Sequence, residues 1–212
     1  MLIINGRVKA AFLATNDQYE VAEGSHNYVM DNFTKQREYT GIFPEADTLG
    51  GDKLYAISFR ANKDDVVETF NLGRTIINYS GHGATTYWDA PRFSQRDVLN
   101  IKDNGAYPFV ISNACITGKF TVAESFGETW LKAKNGAIMF FGSMENTYWD
   151  EDDILERRMF DGIFMQQKES FQAITEYGMK ELWRHYGGAG RSRYYWETYV
   201  TFGDASLKLR RK

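Results

Sequence analysis

The 212-residue chain contains few cysteines, prolines and histidines: one, three and three, respectively. A single cysteine excludes an internal disulfide framework, and the cysteine and histidines have no zinc-site spacing. The longest apolar runs, such as Ala137 to Phe141, are far shorter than the roughly 20 residues that cross a bilayer. No basic block is present and the formal charge is −3, so the sequence predicts neither a membrane span nor a nucleic-acid partner.

The first six residues have no basic region, no long apolar run and no small-residue cleavage site. They therefore do not form a signal peptide. The sequence predicts either a cytoplasmic protein or a processed or excised piece of a longer, multidomain chain.

The composition is that of an ordinary folded domain, with 43% hydrophobic and 25% charged residues. A chain of this length buries one sizeable core and fits one domain, residues 1–212, better than two. No repeat or low-complexity stretch interrupts it.

Short β-rich runs alternate with helical patterns along the chain. This alternation predicts βαβ units and a mostly parallel sheet flanked by helices, an α/β fold. Residues 187–193, which combine glycines and arginines, are predicted to form a surface loop. The predicted strands cover residues 8–15, 54–59, 75–80, 107–113, 137–142, 198–202 and 206–209, and the predicted helices cover residues 23–33, 64–71, 94–100, 124–134, 152–167 and 170–186.

Polar residues follow three of the predicted strands: Asp17 the first, His82 the third and Cys115 the fourth. Ligands and catalytic groups of open parallel sheets collect at the carboxyl ends of the strands, so these residues can be neighbours in space. An imidazole can take a proton from a thiol and return it to a leaving amine, while the thiolate attacks a carbonyl. The backbone N–H groups of Gly83 and Cys115 are candidate donors to the resulting oxyanion.

Simpler interpretations remain open for the same residues. A lone cysteine is often a small buried apolar residue, and a histidine beside glycine is often a turn residue. Their shared position at strand ends makes catalysis about as well supported as these alternatives.

Several motifs resemble those of a known family. Tyr79 to Gly83 (YSGHG) resembles the His-Gly motif of clan CD cysteine peptidases, and Asn113 to Phe120 (NACITGKF) resembles their Ala-Cys motif. Within that clan the chain is most similar to the gingipain-like family, over about Arg7 to Arg211. Further matching segments, in the family's order, are residues 123–128 (AESFGE), residues 136–143 (GAIMFFGS) followed by Trp149, and residues 202–207 (FGDASL).

The resemblance implies a caspase-like three-layer sandwich and a Cys115–His82 dyad, with Asp17 orienting the imidazole. It also implies cleavage after arginine or lysine, with Glu23, three residues before His26, binding the basic side chain. Trp149 is implied as a wall of that pocket, and Trp88 is a further candidate for substrate binding. Simpler alternatives are a loop aspartate at position 17, an acid near a helix N-terminus at position 23, and a core tryptophan at position 149.

The resemblance also suggests partners and a location. We expect a peptide or protein substrate, no required cofactor, and secretion or display at the cell surface. Calcium is a possible structural ion at the acidic run that includes Asp150, Asp152 and Asp153, although its spacing fits no defined calcium loop. The alternatives to an endopeptidase are a transpeptidase of a bacterial secretion system, which uses the same acyl-enzyme, and a non-catalytic assembly domain.

Overall fold

Six strands form the central sheet of the computed structural model, which describes residues 8–209. The predicted absence of a signal peptide concerns residues 1–6, which lie outside the described residues, as do Arg7, Arg210 and Arg211 at the two ends of the resemblance. The elements in chain order are β1 (Ala10–Ala14), α1 (Tyr19–Val29), β2 (Thr40–Gly41), β3 (Thr48–Leu49), β4 (Asp52–Tyr55), α2 (Lys63–Asn71), β5 (Ile76–Ser80), β6 (Gly83–Ala84), β7 (Tyr87–Trp88), β8 (Phe93–Ser94), α3 (Gln95–Leu99), β9 (Phe109–Asn113), α4 (Phe126–Lys132), β10 (Met139–Ser143), α5 (Trp149–Phe164), α6 (Phe171–His185), α7 (Arg191–Thr198) and β11 (Tyr199–Gly203).

The sheet has the strand order β11-β10-β9-β5-β1-β4. The five strands from β4 to β10 run parallel, and β11 pairs antiparallel with β10 at one edge. Parallel neighbours need a crossover, and helices supply it here, as the alternating sequence pattern predicted. The mostly parallel α/β sheet is therefore confirmed.

Alternate residues of each strand face opposite sides of the sheet and build two separate cores. Phe12 and Ile111 pack with the apolar faces of α1, α5 and α6 on one side. Leu13 and Val110 pack with α2, α3 and α4 on the other. The result is the expected three-layer sandwich, with a helical layer on each face of the sheet. Within residues 8–209 no helix is long and apolar enough to span a membrane.

Capping residues set where several helices begin. The Asn62 side chain accepts from the backbone N–H of Asp64, and the Asp65 carboxylate accepts from the N–H of Asn62. Ser125 and Glu128 make the same reciprocal arrangement at the start of α4. Such boxes satisfy N–H groups that the first helical turn leaves unpaired.

Other predicted boundaries were wrong. Helix α1 begins at Tyr19 rather than at residue 23, and a π-helical turn over Met30–Thr34 continues it. The predicted strand 54–59 corresponds to β4, which ends at Tyr55 because residues 57–60 turn outward into solvent. The predicted strand at 206–209 is only an isolated bridge between Ser170 and Lys208, and the end of the predicted 187–193 loop belongs to α7.

Two small antiparallel sheets were not predicted. They are the β2–β3 pair and the three-stranded β6–β7–β8 sheet, and each of their strands is only two residues long. A strand that short shows no alternation in the sequence, so periodicity cannot detect it.

A buried ion pair ties β4 to the loop before β5. Arg74 donates to both carboxylate oxygens of Asp52, and neither side chain is exposed to solvent. The same carboxylate accepts the backbone N–H groups of Ile42 and Phe43, at 2.6 and 3.1 Å. The Asp52 carboxylate therefore accepts hydrogen bonds both from the Arg74 guanidinium and from the backbone N–H groups that follow β2.

We expect Asp52→Ala to lower the free energy of unfolding by about 3–5 kcal/mol, because it leaves the Arg74 charge buried without a partner. The matched control is Asp89→Ala, which removes half of the Asp89–Arg92 pair, whose side chains are 50% and 51% exposed. Breaking an exposed pair costs about 1 kcal/mol or less. Urea denaturation of both variants tests this, and equal losses would contradict it.

Candidate active site

Three parallel strands end level with one another at one edge of the sheet. Ala14 of β1 pairs with Ser80 of β5, and Ser80 pairs with Asn113 of β9. The register continues one residue further, because the N–H of Gly81 donates to the carbonyl of Asn113 at 3.1 Å. His82 and Cys115 are each the second residue beyond this level line. The structure thus brings the histidine and cysteine loops to adjacent strand ends.

Asp17 reaches His82 across the gap between the ends of β1 and β5. The Nε2 atom of His82 lies 2.8 Å from Oδ2 of Asp17. The hydrogen bond from His82 lowers the pKa of Asp17 below its usual value, so the carboxylate stays charged. It does not cap α1, whose N-cap residue is Gln18. With Nε2 engaged, Nδ1 is the ring nitrogen left for proton exchange with another group.

Gly83 packs directly against the cysteine loop. A Cβ atom added to Gly83 would lie 2.9 Å from the carbonyl oxygen of Cys115, 2.9 Å from Cβ of Ala114 and 2.7 Å from Cγ2 of Thr117. Side-chain carbons do not tolerate such distances, so only glycine fits between the histidine and cysteine loops. This packing, and not a positive φ, requires glycine after the histidine.

The cysteine loop reverses direction directly after Cys115. Ile116 has φ 51°, a left-handed conformation that is rare for a β-branched residue. The turn lets the N–H of Ile116 donate to the carbonyl of Glu145 and the N–H of Gly118 donate to that of Ser143. The loop is thereby fixed to the segment that follows β10, and Cys115 stays partly exposed.

Trp149, at the start of α5, lies beside the histidine. Its ring meets the His82 ring edge-on, with centroids 5.5 Å apart. The side chain is partly exposed, so it stands at the surface of the site as well as against the core.

Trp88 does not form part of the exposed site. Its side chain is fully buried, stacked on Tyr79 with ring centroids 4.6 Å apart, and its Nε1–H donates to Oγ of Ser112 at 2.9 Å. The prediction that Trp88 contacts substrate is therefore wrong. Trp88 instead belongs to the β6–β7 hairpin, where it pairs with Gly83, and its buried side chain anchors that hairpin to the core.

Glu23 lies in the second turn of α1 and is 7% exposed. One of its carboxylate oxygens accepts the backbone N–H of Ser58 at 3.2 Å, and the other accepts the Ser58 hydroxyl. It is not an acid of the first helical turn, because α1 begins four residues earlier. Ser58 is a residue that the sequence alone did not indicate, since nothing near position 58 forms a motif.

The acidic run at the start of α5 is divided among different partners. Asp152 is buried and accepts hydrogen bonds from the hydroxyls of Tyr195 and Tyr199. Asp153 instead accepts from Ser25 and Arg157. Within residues 8–209 no three or more histidine, cysteine or acidic side chains are grouped so as to hold a metal ion. Asp152 and Asp153 thus have partners within the fold, and calcium at this acidic run stays a prediction.

A second polar cluster lies below the strand ends. The two ring nitrogens of buried His26 lie 2.8 Å from Oε1 of Glu156 and 2.8 Å from the carbonyl oxygen of Leu13. Burial by itself lowers the pKa of His26, but the charge and hydrogen bond of Glu156 outweigh it and raise that pKa. The other oxygen of Glu156 accepts from Asn113, the last residue of β9. His26 is therefore a packing residue that supports the strand before Cys115.

Comparisons with known proteins agree with this arrangement. A family model for peptidase family C25 matches residues 4–210. Gingipain R2 of Porphyromonas gingivalis is 28% identical over 199 residues, which cover 87% of this chain and 25% of that protein. Lys-gingipain of the same species is 28% identical over 161 residues, which cover 65% of this chain and 9% of that protein.

Solved structures show the same fold. The Arg-specific cysteine proteinase gingipain R superimposes with a TM-score of 0.78 at 22% identity, over 97% of this chain and 48% of that one. The separase–securin complex of Saccharomyces cerevisiae gives a TM-score of 0.54 at 12% identity, over 95% of this chain and 12% of the matched chain. The chain thus spans a quarter or less of these curated relatives and about half of the solved gingipain chain.

The family model matches residues 4–210, which is almost the entire chain. The solved gingipain structure has the same caspase-like fold as this chain. The motifs on which the resemblance rested, around His82 and Cys115, lie at adjacent ends of that sheet. The chain belongs to peptidase family C25, as its resemblance to gingipain-like peptidases implied.

Proposed function

We propose that the chain is the catalytic domain of a cysteine endopeptidase in which Cys115 is the nucleophile and His82 the acid–base partner. The observation that carries the proposal is the contact between the histidine and cysteine loops. Their strands end level, and Gly83 packs against Cys115 so closely that no side chain fits between them. This contact supports the proposal, because a thiol and an imidazole on two such loops can come close enough to share a proton.

The contact with Asp17 indicates which ring nitrogen of His82 exchanges the proton with the thiol. Because its carboxylate accepts from Nε2 of His82, the neutral ring carries its proton on that nitrogen and offers the Nδ1 lone pair to the thiol. The thiolate then attacks the peptide carbonyl, and the imidazolium is stabilised by Asp17. His82 next protonates the leaving amine from Nδ1, and water, deprotonated by the same nitrogen, hydrolyses the thioester.

The backbone N–H of Gly83 is a suitable donor for the oxyanion. The N–H of Asp89 donates to the carbonyl of His82, so these two residues form a hydrogen-bonded pair of the β6–β7 ladder. The next pair, Gly83 and Trp88, is then a non-hydrogen-bonded pair, whose N–H groups point away from the ladder. With the N–H of Cys115 it supplies the two donors that a tetrahedral intermediate needs.

We further propose that cleavage follows a basic residue, with Glu23 binding the basic side chain and Trp149 lining the same pocket. Glu23 lies one turn into α1, which starts two residues after Asp17, and Trp149 touches His82. Ser58 holds both oxygens of Glu23, which orients its negative charge. The similar proteins support this choice, since one is named an Arg-specific proteinase and another Lys-gingipain.

The first prediction concerns the nucleophile. With fluorogenic peptides that carry Arg, Lys, Asp, Asn or Leu before the scissile bond, we expect turnover of the Arg or Lys substrate. We expect Cys115→Ala and His82→Ala to reduce kcat by about 10³-fold or more, because both act on the reacting atoms. Activity that survives Cys115→Ala would eliminate the mechanism.

The same assay separates hydrolysis from transpeptidation. Adding an amine nucleophile to the reaction and analysing products by mass spectrometry shows whether water or the amine captures the acyl-enzyme. We expect the hydrolysed peptide to dominate. A mostly ligated product would mean that the enzyme is a transpeptidase and not an endopeptidase.

The second prediction concerns specificity. Glu23→Gln keeps the shape of the side chain but removes its charge, so kcat/KM for the basic substrate should fall by about 10²-fold or more relative to the Leu substrate. Glu20→Gln is the matched control, because Glu20 is an exposed acid one turn earlier on α1. An unchanged preference in Glu23→Gln would assign the pocket to another residue while leaving the dyad in place.

The third prediction concerns the glycine between the loops. Gly83→Ala introduces a Cβ with three contacts below 3.0 Å and displaces an oxyanion donor, so we expect kcat to fall by about 10²–10³-fold. Gly24→Ala is the control, because a Cβ there would meet no atom within 4 Å. Circular dichroism would establish that both variants are folded. Full activity of folded Gly83→Ala would contradict the packing argument.

A further inference from the structure

A buried pair of side chains joins α1 to α5 below the candidate site. Nδ1 of His26 lies 2.8 Å from Oε1 of Glu156, and both side chains are buried. Polar groups without access to water need hydrogen-bond partners inside the fold. The partners of this pair lie in the strands that lead to the candidate site.

The pair bonds to two strands that are not neighbours in the sheet. Nε2 of His26 lies 2.8 Å from the carbonyl oxygen of Leu13 in β1. Oε2 of Glu156 accepts a hydrogen bond from Nδ2 of Asn113 in β9 at 3.0 Å. The strand order is β9-β5-β1, so the strand that leads to the histidine loop lies between these two. We call His26 and Glu156 the brace, because together they connect β1 to β9 across β5.

The partners of the brace determine where its protons lie. A backbone carbonyl only accepts hydrogen bonds, so Nε2 of His26 carries a hydrogen. The contact between Nδ1 and Glu156 then needs a second proton, which leaves Nδ1 without a lone pair for another donor. Nδ2 of Asn78 in β5 lies 3.5 Å from Nδ1 and therefore makes a packing contact. The brace is thus bonded to β1 and β9 and packs against β5 between them.

The brace is attached close to the points where the strands end. Asn113 is the last residue of β9, and Cys115 follows two residues later. In the part of the chain that the structure describes, Oδ1 of Asn113 is buried without a hydrogen-bond partner, so its amide is held from the Nδ2 side by Glu156. On the other side of the brace, Leu13 lies four residues before Asp17. A change in the brace therefore acts directly on the ends of both strands.

We propose that Glu156 is a positioning residue for the Cys115–His82 dyad. Through His26 and Asn113 it fixes the end of β9 relative to β1, and so sets the distance across which the thiol and the imidazole share a proton. The proposal rests on the proposed function, from which it takes the dyad. Glu156 acts on the sulfur only through the residues that it holds.

A purely structural role for the brace makes a different prediction. In that case the pair stabilises the fold, as Asp52 and Arg74 do, and has no effect on the site. Loss of Glu156 would then lower stability and leave Cys115 of folded molecules equally reactive or more accessible. Positioning instead predicts a less reactive sulfur in folded protein.

Two substitutions at position 156 separate these roles. Glu156→Gln keeps the brace, because its amide N–H can donate to Nδ1 of a neutral His26 while its oxygen accepts from Asn113. Glu156→Met has a similar length but no such donor or acceptor, so both contacts are lost. Positioning predicts that the glutamine variant behaves like the wild type and that the methionine variant does not.

The test is the rate at which iodoacetamide alkylates the folded protein at pH 7. Cys115 is the sole cysteine, and its thiolate is the form that reacts. His82→Ala gives the reference rate without the proton acceptor. We expect Glu156→Met to slow alkylation about tenfold, toward that reference, and Glu156→Gln to stay within about twofold of the wild type.

A second variant keeps the test decisive if Glu156→Met does not fold. Asn113→Ala removes only the bond between the brace and β9 and should slow alkylation to a similar extent. Asp52→Asn is the matched control, because it alters a buried pair at the opposite, amino-terminal end of the strands. This control should lower the urea midpoint and leave the alkylation rate unchanged, and circular dichroism would establish that each variant is folded.

Two results would overturn the proposal. Unchanged or faster alkylation of folded Glu156→Met, or of folded Asn113→Ala, would leave the brace with a structural role only. Slow alkylation of Glu156→Gln would mean that the charge of Glu156, and not its two contacts, acts on the sulfur.

The same measurements separate this proposal from the proposed function. A wild type that reacts no faster than His82→Ala would remove the dyad, and with it both proposals. A wild type that reacts faster than His82→Ala but cleaves no peptide would count against the proposed function alone, because alkylation needs no substrate.

Discussion

The register between β5 and β9 is the constraint on which the candidate site depends. Parallel pairing places Ser80 opposite Asn113, so the residues that follow emerge side by side at one edge of the sheet. A slip of one residue would move every side chain of the strand to the other face of the sheet. Both faces are covered by helices, so each residue would then lie in the core that it does not fit. The packing that stabilises the sheet therefore also fixes the distance between the histidine and cysteine loops.

Support for the two loops comes from different sides of the sheet. On the face covered by α2, α3 and α4, the buried ring of Trp88 stacks on Tyr79 and holds the hairpin that carries Gly83. On the opposite face, Glu156 of α5 bonds to His26 of α1 and to Asn113 at the end of β9. The segment before α5 closes over the sulfur, where Thr147 makes its contacts. Both helical layers therefore determine the position of the candidate site.

Much of this organisation was predictable. The strand–helix alternation predicted the parallel sheet, and polar residues at three strand ends predicted where the site would lie. The contact between Asp17 and His82 fulfils the expectation that these ends meet. The prediction for Trp88 was wrong because a tryptophan next to a motif carries no sign of whether it is buried. The sequence likewise does not reveal that Asp152 and Asp153 of the acidic run have partners within the fold.

By itself the sequence determined the family, the order of the six central strands and of helices α1 to α6 along the chain, and the identity of the residues at the strand ends. These features are local, because periodicity, capping residues and short motifs depend on neighbours in the chain. Only the tertiary structure decided which groups touch: Glu23 with Ser58, His26 with Glu156, and Asp152 with Tyr199. These contacts join residues 35 or more positions apart, and their partners are selected by packing across the sheet, which no local pattern encodes.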